Sequence, residues 1–460
     1  MQIYDTKSKK KEEFVPLIDG KVSMYVCGPT VYDVAHLGHG RSAVAFDVIR
    51  KYFEYRGFDV KFVSNYTDID DKMIKRAKAD GISVSELADK IIPEYEKDYA
   101  ALGVARADVQ PRATENIDAV LEIIGKLDEG GYIYVIDGDG VYFDVTKFSE
   151  YGELSGQNLE DLRMGARVEV NEAKRNPYDF ALWKFKKEGE PAWESPWGEG
   201  RPGWHIECSA MSYKHLGREF DIHGGGLDLL FPHHECEVAQ SVCALGEGAF
   251  AKYWIHNGFI NVDNEKMSKS LGNFSTLKEI FERYDPQVVR FMFLQTHYRN
   301  PINFSDELLE QAKAALVTLH GFVKKLENYK STSNEDPLQI EFEDLAGESM
   351  DDDFNTSGAF GTIFVAVKSV NQALEDKMIN LDSAFILEQL KRLDKVFGVI
   401  FPTKKETKAT IDEDIEKLIK EREEARKNKD FEASDRIRDE LRERGIELED
   451  TAEGTVWRKG

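Results

Sequence analysis

The segment CGPTVYDVAHLGHGR, residues 27–41, decides how the rest of the chain can be interpreted. A β-like run, KVSMYV, ends directly before it, and an apolar-periodic segment at residues 43–55 follows it. A strand, a glycine-containing turn and a helix form a cradle for phosphate, because the amides of the first helical turn are unpaired and the helix dipole favours an anion. His36 and His39 could donate to phosphate oxygens. A four-residue HxGH match also arises by chance, so the interpretation depends on other motifs.

Composition and charge exclude several classes of protein. The chain has 460 residues, of which 41% are hydrophobic, enough for roughly two to four globular domains. No run has the length of a membrane helix, and the start has lysines without an apolar segment behind them, so we expect neither membrane contact nor a secretion signal. Four cysteines do not suggest a disulfide framework, which favours a reduced, cytoplasmic chain. The net charge of −24 argues against indiscriminate nucleic-acid binding but allows a local basic patch.

The order of elements predicts an α/β fold built on a doubly wound parallel sheet. A β-like run at residues 59–65 follows the first helix, and strand, helix, strand with short connections is the opening of such a sheet. Ligands bind at the carboxyl ends of its strands, where Thr67, Asp68 and Asp70 lie. Asp70 is at least as well suited to cap a helix that starts at Asp71.

The remaining regions differ in composition and predicted secondary structure, and these differences set the predicted domain boundaries. Residues 112–200 contain a predicted helix at 114–127, a hairpin at 132–145 and charged, irregular sequence, and look like an insertion between two halves of the sheet. Further strands are predicted at 219–223, 253–256 and 259–262, and helices at 232–244, 277–296, 306–329, within 341–397 and, as a charged pair, within 412–445; β-like runs at 446–450 and 455–459 end the chain. The predicted regions are 1–111 and 201–275, the two halves of the catalytic domain; 112–200, the insertion; 276–330, a helical region; 338–400, a helical bundle; and 405–460, a small mixed C-terminal domain.

Two thiols, an imidazole and a fourth group predict a metal site. The candidates are Cys27, Cys208, His233 and either Cys236 or Glu237. We expect the two thiols at strand ends and the others at a strand end or at the start of the helix that follows, and these places converge on one crevice of a doubly wound sheet. His233 and Glu237 are four residues apart and point the same way on a helix. Such a set suits tetrahedral zinc. As the fourth ligand, Cys236 is favoured because a soft thiolate binds zinc better than a carboxylate does. The weaker carboxylate of Glu237 would instead leave the zinc better able to accept a sulfur from a ligand. The alternative to a metal site is that these four polar residues are scattered in the fold and bind no metal.

The motifs together point to one family. They are CGPTVYD (27–33), HLGH (36–39), NYTDIDDK (65–72), GWHIECSAM (203–211), the glycine-rich run 224–237 and KMSKS (266–270). In this combination they resemble the cysteinyl-tRNA synthetases, which are class I aminoacyl-tRNA synthetases. The segment FEASDRIRDELRERGIELEDTAEGTVWRK (431–459) is similar to the family's anticodon-reading end, so the resemblance covers essentially the whole chain. Leu37 stands where the class signature has isoleucine, and Cys236 stands where relatives often have a polar residue.

The resemblance implies a Rossmann-like catalytic domain and an ATP-dependent ligase. Such enzymes join L-cysteine to ATP, release pyrophosphate, and pass the cysteinyl group to the terminal adenosine of the tRNA for cysteine. Residues 276–330 and 338–400 would then contact tRNA, and 405–460 would read the anticodon. The implied catalytic residues are His36, His39, Lys266 and Lys269; ATP would be bound by Thr30, His36, His39, Gly225, Asp228 and Lys269, and the substrate by Cys27, Thr67, Trp204, Cys208, His233 and Glu237. The family assigns Glu237 as the fourth zinc ligand, with one Zn²⁺ per chain, Mg²⁺ accompanying ATP, and a monomer.

Zinc would explain how cysteine is separated from serine. A shape-fitted pocket separates near-isosteres by roughly 10- to 200-fold only. A thiol, with a pKa of about 8.5, loses its proton to a metal far more readily than an alkyl hydroxyl does. We therefore expect no separate editing domain. His205, His223, His234 and His256 either line the pocket or have packing roles.

Three other functions compete with this interpretation. An enzyme that activates cysteine and ligates it to an amino sugar should lack the anticodon end, and an HxGH nucleotidyltransferase is usually much smaller and needs no thiolate set. A non-catalytic, zinc-dependent RNA-binding protein of this fold would show no cysteine-dependent exchange between ATP and pyrophosphate.

Overall fold

A computed structural model of the protein describes residues 1–157, 173–262, 265–266, 275–330, 337–375 and 380–403, and only parts of 404–460. The chain divides into two compact units, Met1–Phe401 and Pro402–Gly460. No helix of the described residues combines the length and the apolar composition that crossing a membrane requires.

The first part of the chain contributes two strands of the central sheet. The elements are β1 (Gln2–Asp5), β2 (Lys10–Glu13), β3 (Lys21–Val26), α1 (Leu37–Tyr55), β4 (Asp59–Ser64), α2 (Asp71–Asp80) and α3 (Val84–Ala101). β1 and β2 form an antiparallel hairpin that the sequence analysis did not predict. α1 begins six residues earlier than the predicted 43–55, so its first turn contains the HLGH motif. Asp70 caps α2 by accepting a hydrogen bond from the amide of Lys72, as expected.

The insertion forms a separate antiparallel sheet. It contains α4 (Ile117–Glu129), β5 (Ile133–Ile136), β6 (Gly140–Phe143), β7 (Phe180–Phe185) and β8 (Gly200–Pro202), and its sheet order is β5-β6-β7-β8. The chain then continues with α5 (Trp204–Leu216), β9 (Glu219–Gly226), α6 (Glu235–Leu245) and β10 (Phe250–Asn257). α6 begins later than the predicted residue 232, because a π-helical turn, Leu230–His234, precedes it.

The central sheet confirms the predicted parallel α/β architecture. Its strand order is β10-β9-β3-β4, and all three pairings are parallel. β3 and β4 precede the insertion and β9 and β10 follow it, so the sheet is assembled from two halves as expected. The register places Val26 of β3 opposite Gly224 of β9, and this pairing aligns the carboxyl ends of the two central strands.

Helices dominate the rest of the described chain. The elements are β11 (Ile260–Val262), β12 (Glu265–Lys266), α7 (Leu277–Phe281), α8 (Pro286–Leu294), β13 (Ile302–Phe304), α9 (Asp306–Glu327), α10 (Phe342–Met350), α11 (Thr356–Glu375) and α12 (Ser383–Phe397). The single helix predicted at 277–296 is wrong: the chain breaks before Pro286, which starts α8, and Asp285 caps that helix through the amide of Gln287. In the second unit, β14 (Ile446–Thr451) and β15 (Gly454–Lys459) form an antiparallel hairpin, whereas most of the predicted pair at 412–445 lies outside the described residues.

A buried arginine joins α1 to the helical bundle. Arg290 of α8 is 1% exposed, and its guanidinium lies 2.7 Å from Oδ2 of Asp47 on α1. The same guanidinium donates to the carbonyl oxygens of Leu102 and Phe397, so it ties three segments together. Its partner Asp47 also accepts from Lys51.

Removal of this arginine tests its role in holding the first unit together. We expect Arg290→Ala to lower the free energy of unfolding of that unit by about 3–5 kcal/mol, because it leaves a buried carboxylate and carbonyls short of donors. Urea titration followed by tryptophan fluorescence measures this. Arg283→Ala removes an exposed arginine that pairs with Asp306 and should barely shift the midpoint. Equal shifts for the two variants would contradict the assignment.

Candidate active site and metal centre

Four of the predicted ligands come together at the carboxyl end of the sheet. Cys27, Cys208, His233 and Glu237 are all buried, and one ligand atom of each lies within 4.8 Å of the others. The Sγ atom of Cys27 lies 3.4 Å from Oε1 of Glu237, and Nε2 of His233 lies 3.0 Å from the same oxygen. The four residues come from three stretches of the chain and are up to 210 positions apart.

The elements explain how each side chain reaches the cluster. Cys27 follows the last residue of β3, and its amide donates to the carbonyl oxygen of Gly224 on β9. Cys208 lies one turn into α5, rather than at a strand end as the sequence interpretation had it. His233 lies in the π-helical turn and Glu237 in the first turn of α6. Two helix starts and one strand end therefore face one point.

The donor set fits a zinc ion. Tetrahedral bonds of about 2.0–2.3 Å place neighbouring ligand atoms about 3.3–3.8 Å apart, close to the separations in the cluster. Burial lowers the pKa of His233 well below its ordinary value, so the ring is neutral, the form that binds metals. Burial raises the pKa of the Cys27 thiol well above its ordinary value, so the metal-free thiol is protonated and metal binding would release a proton.

The structure places Glu237, and not Cys236, in the cluster. Cys236 lies in the hydrophobic core of the insertion, where its Sγ atom is 3.4 Å from the hydroxyl of Tyr151. One residue on a helix changes the direction of a side chain by about 100°. Glu237 therefore faces the sheet while Cys236 faces away from it.

A second set of histidines lies beneath the cluster. Cys27, His223, His234 and Glu237 satisfy the same distance criterion, so the cluster has two overlapping sets of donors. His223 and His234 are fully buried, and neither lines the large cavity described below. His234 contacts His256 at 2.8 Å, and His256 contacts Thr6 at 2.8 Å. His223, His234 and His256 therefore lie behind the cavity lining, whereas Cys27, Cys208 and His233 line the cavity.

One cavity of about 390 Å³ connects the cluster to the start of α1. Its lining includes most of the predicted site residues: Cys27, Thr30, His36, His39, Thr67, Trp204, Cys208, Asp228 and His233. Trp204 is 37% exposed and stacks on His233 with ring centroids 4.4 Å apart, so it forms a wall beside the cluster. Nδ1 of His205 lies 2.9 Å from Nδ1 of His233.

The HxGH histidines lie where a phosphate group would meet the helix dipole. His36 is the N-cap of α1, and His36 and His39 cap each other's amides. Their rings are stacked with centroids 3.6 Å apart, and Nδ1 of His39 lies 3.2 Å from the hydroxyl of Tyr95. The capping role and the phosphate role are compatible, because both place the imidazoles at the helix end that favours an anion.

The glycine-rich run reaches the cavity through Gly226. Gly226 lines the cavity together with Asp228, whereas Gly225 lies in β9 opposite His256. A Cβ atom on Gly225 would lie 2.9 Å from Cε1 of His234, so a glycine at this position leaves space for the His234 ring. Of KMSKS, only the backbone of Lys266 is described, in β12; Lys269 lies outside the described residues.

Comparisons with known proteins identify the family of the chain. Residues 13–314 match the model of the tRNA synthetases class I (C) catalytic domain, residues 347–401 the DALR domain, and residues 409–458 the Cysteinyl-tRNA ligase anticodon binding domain. The cysteine–tRNA ligase of Clostridioides difficile (strain 630) is 50% identical to this chain over 469 aligned residues, and the alignment covers 100% of both chains. The chain belongs to the cysteine–tRNA ligase family. The resemblance inferred from the motifs is thereby confirmed, and the protein is an aminoacyl-tRNA synthetase.

Solved structures show the same fold in a different synthetase. A Mycobacterium tuberculosis methionyl-tRNA synthetase in complex with methionyl-adenylate superposes with a TM-score of 0.61 at 15% identity, covering 83% of this chain and 89% of that one. A second structure of that enzyme, also bound by methionyl-adenylate, gives a TM-score of 0.59 at 14% identity, with coverage of 82% and 92%. At these identities the likeness establishes the fold of this chain.

Sequence reasoning missed two buried polar residues beside the cluster. Asn65 accepts from the amide of Gly28 at 2.9 Å, and Glu207 accepts from the hydroxyl of Thr67 at 3.0 Å. Burial raises the pKa of Glu207 well above its ordinary value. Both residues belong to quoted motifs, and their polarity directly beside predicted site residues was the signal available.

Metal analysis separates the two candidates for the fourth ligand. We expect Glu237→Gln to bind zinc more than about 100-fold more weakly, since even changes outside the ligand shell cost 10- to 100-fold. Cys236→Ala should retain one zinc per chain, because its thiol faces the insertion core. Elemental analysis after dialysis against a chelator measures both. Zinc loss from the Cys236 variant alone would reverse the assignment.

Proposed function

We propose that this synthetase activates L-cysteine with ATP to form cysteinyl-adenylate and pyrophosphate, and then transfers the cysteinyl group to the 3′-terminal adenosine of its tRNA. One observation carries the proposal: the buried cluster Cys27, Cys208, His233 and Glu237 opens onto the same cavity as the N-terminus of α1. A thiol-recognising site and a phosphate-binding site thus lie in one enclosure. Activation of an amino acid requires both reactants in such proximity.

The cluster supports selection of the substrate by its sulfur. Cys27, Cys208, His233 and Glu237 would hold one Zn²⁺, which when bound supplies a Lewis acid that takes the substrate thiol as a direct ligand. Trp204 and Thr67 bound the space beside the cluster and would confine the rest of the amino acid. The hydroxyl of serine is a harder donor with a far higher pKa, so the same donor set would discriminate against it.

The other end of the cavity supports nucleotide binding. His36 and His39 would donate to phosphate oxygens at the start of α1, where the helix dipole adds to their effect. The reaction is an in-line displacement at phosphorus, which needs stabilisation of charge more than acid–base catalysis. Lys266 and Lys269, together with Mg²⁺, would neutralise the triphosphate. Thr30, Gly225 and Asp228 would contact the nucleotide.

The C-terminal regions support a tRNA substrate. The match of residues 409–458 to an anticodon-binding domain argues against ligation of cysteine to an amino sugar. We propose that residues 405–460 read the anticodon and that 276–330 and 338–400 contact the body of the tRNA. We also propose a cytoplasmic monomer; the four cysteines are free thiols, and the monomeric state rests on family precedent.

Exchange of pyrophosphate into ATP tests the first step. The purified, zinc-loaded protein should catalyse exchange that depends on cysteine. Its kcat/KM for cysteine should exceed that for serine by more than about 200-fold, the limit of discrimination by shape alone. A smaller ratio, or protein that is fully active without zinc, would contradict selection through the metal.

Truncation tests the role of the C-terminal unit. A chain ending at Thr403 should retain cysteine-dependent exchange, because the described cavity lies wholly within Met1–Phe401. Its charging of tRNA should fall strongly through loss of tRNA affinity. Filter-based charging assays with varied tRNA concentration measure this effect, and unchanged charging would show that residues 404–460 are not the anticodon reader.

A further inference from the structure

A second, much smaller cavity lies between α1 and the helices that follow the sheet. Its volume is about 20 Å³, and its lining comes from α1, from α8 and the turn after it, and from the segment that leads into α11. Most of the lining residues are apolar, and none of them is acidic. Roughly 10–15 Å³ suffices for one water molecule, so the cavity admits one particle of that size or slightly larger.

The charged side chain in this lining is Arg41, the last residue of the segment 27–41. Arg41 is 2% exposed, and its Nη2 atom donates to the carbonyl oxygens of Tyr298 at 3.2 Å, of His297 at 3.4 Å and of Asn300. Its Nη1 atom is buried and has no hydrogen-bond partner among the described residues. Each terminal nitrogen of a guanidinium carries two N–H donors. Two donors beside the cavity are therefore available to a ligand.

Arg41 also has no counter-charge within the part of the chain that the structure describes. Its acceptors there are neutral carbonyl oxygens, whereas the similarly buried Arg290 lies 2.7 Å from a carboxylate oxygen of Asp47. Burial lowers the pKa of Arg41 to about 10, because it disfavours the charged form. A buried charge without a partner destabilises the folded state. A negative charge placed in the cavity would remove this cost.

The loop that Arg41 holds links the small cavity to the active-site cavity. The carbonyl oxygen of Tyr298 accepts from Arg41 and also from the amide of Gly258, at 2.8 Å. Gly258 lines the large cavity that contains the metal cluster. A ligand that stabilises the buried charge of Arg41 would therefore also stabilise one wall of the active site.

We propose that the small cavity binds one monovalent halide ion, such as chloride, through Nη1 of Arg41. The guanidinium supplies charge-assisted hydrogen bonds, and the apolar remainder of the lining suits chloride and bromide, which lose their hydration more readily than fluoride does. The volume excludes sulfate and phosphate. The net charge of −24 opposes a general attraction of anions, so halide binding depends on this local site. The proposal does not depend on the proposed function.

A chloride titration of the full-length, zinc-loaded protein in gluconate buffer tests this site. The NMR line of chloride broadens when the ion exchanges with a protein site. We expect a saturable broadening that corresponds to one ion per chain. Bromide should remove it by competition, whereas fluoride and sulfate should not.

Two arginine variants test the role of the guanidinium. Arg41→Met should weaken chloride binding roughly 10- to 100-fold, which is the effect of losing a hydrogen bond to a charged group of about 1.5–3 kcal/mol. Arg283→Met removes an exposed arginine and should change the affinity less than twofold.

Two valine variants test the cavity itself and serve if Arg41→Met does not fold. Val44→Ile keeps Arg41 but adds a methylene group to a residue that lines the cavity, so it should abolish the broadening that bromide competes away. Val120→Ile makes the same change in the core of the insertion and should retain it. The difference between these variants separates the cavity from any exchange of chloride at the zinc ion.

Crystals soaked in bromide give an independent measurement. The anomalous signal of bromide should appear beside Nη1 of Arg41 in the wild-type protein and be missing in Val44→Ile. Chloride broadening that persists unchanged in Val44→Ile, or in a folded Arg41→Met variant, would overturn the proposal. Bromide found only at other positions would also overturn it and would leave water as the occupant of the cavity.

Discussion

The pairing of β3 with β9 is the interaction on which the site depends. It places Tyr25 opposite His223 and Val26 opposite Gly224, although nearly 200 residues separate the two strands. Because the strands are parallel, both carboxyl ends point to the same edge, and the thiol after one strand meets the glycine-rich run after the other. The insertion between them must fold as a side structure that leaves this register intact.

The insertion also stabilises the two helices that carry the remaining ligands. Ile206 and Ala210 of α5, together with Cys236 and Ala239 of α6, belong to the hydrophobic core of the insertion. Burying one face of each helix there fixes its rotation about its own axis. The opposite faces then present Cys208 and Glu237 to the sheet. An element without a predicted catalytic group thus sets the geometry of the metal cluster.

The cavity has two chemically different ends. At one end are two thiols, an imidazole and a carboxylate, and at the other are two histidines at the positive end of a helix dipole. Under the proposed function, a cysteine would bind with its sulfur at the cluster and its carboxylate toward the nucleotide.

The sequence by itself determined the family, the parallel sheet in two halves, and three members of the buried cluster, Cys27, Cys208 and His233. These features follow from short motifs and strand periodicity, which are local properties of the sequence. It left the choice between Cys236 and Glu237 to the resemblance, and it missed the break at Pro286, the hairpin β1–β2 and the partners Asn65 and Glu207. Those features depend on contacts between distant segments. The rotation of α6 follows from which face the insertion buries, and the hydrogen bond from Thr67 to Glu207 joins residues 140 positions apart. Side-chain direction at such points is decided by tertiary packing, because a helix or a loop alone leaves several directions of similar energy.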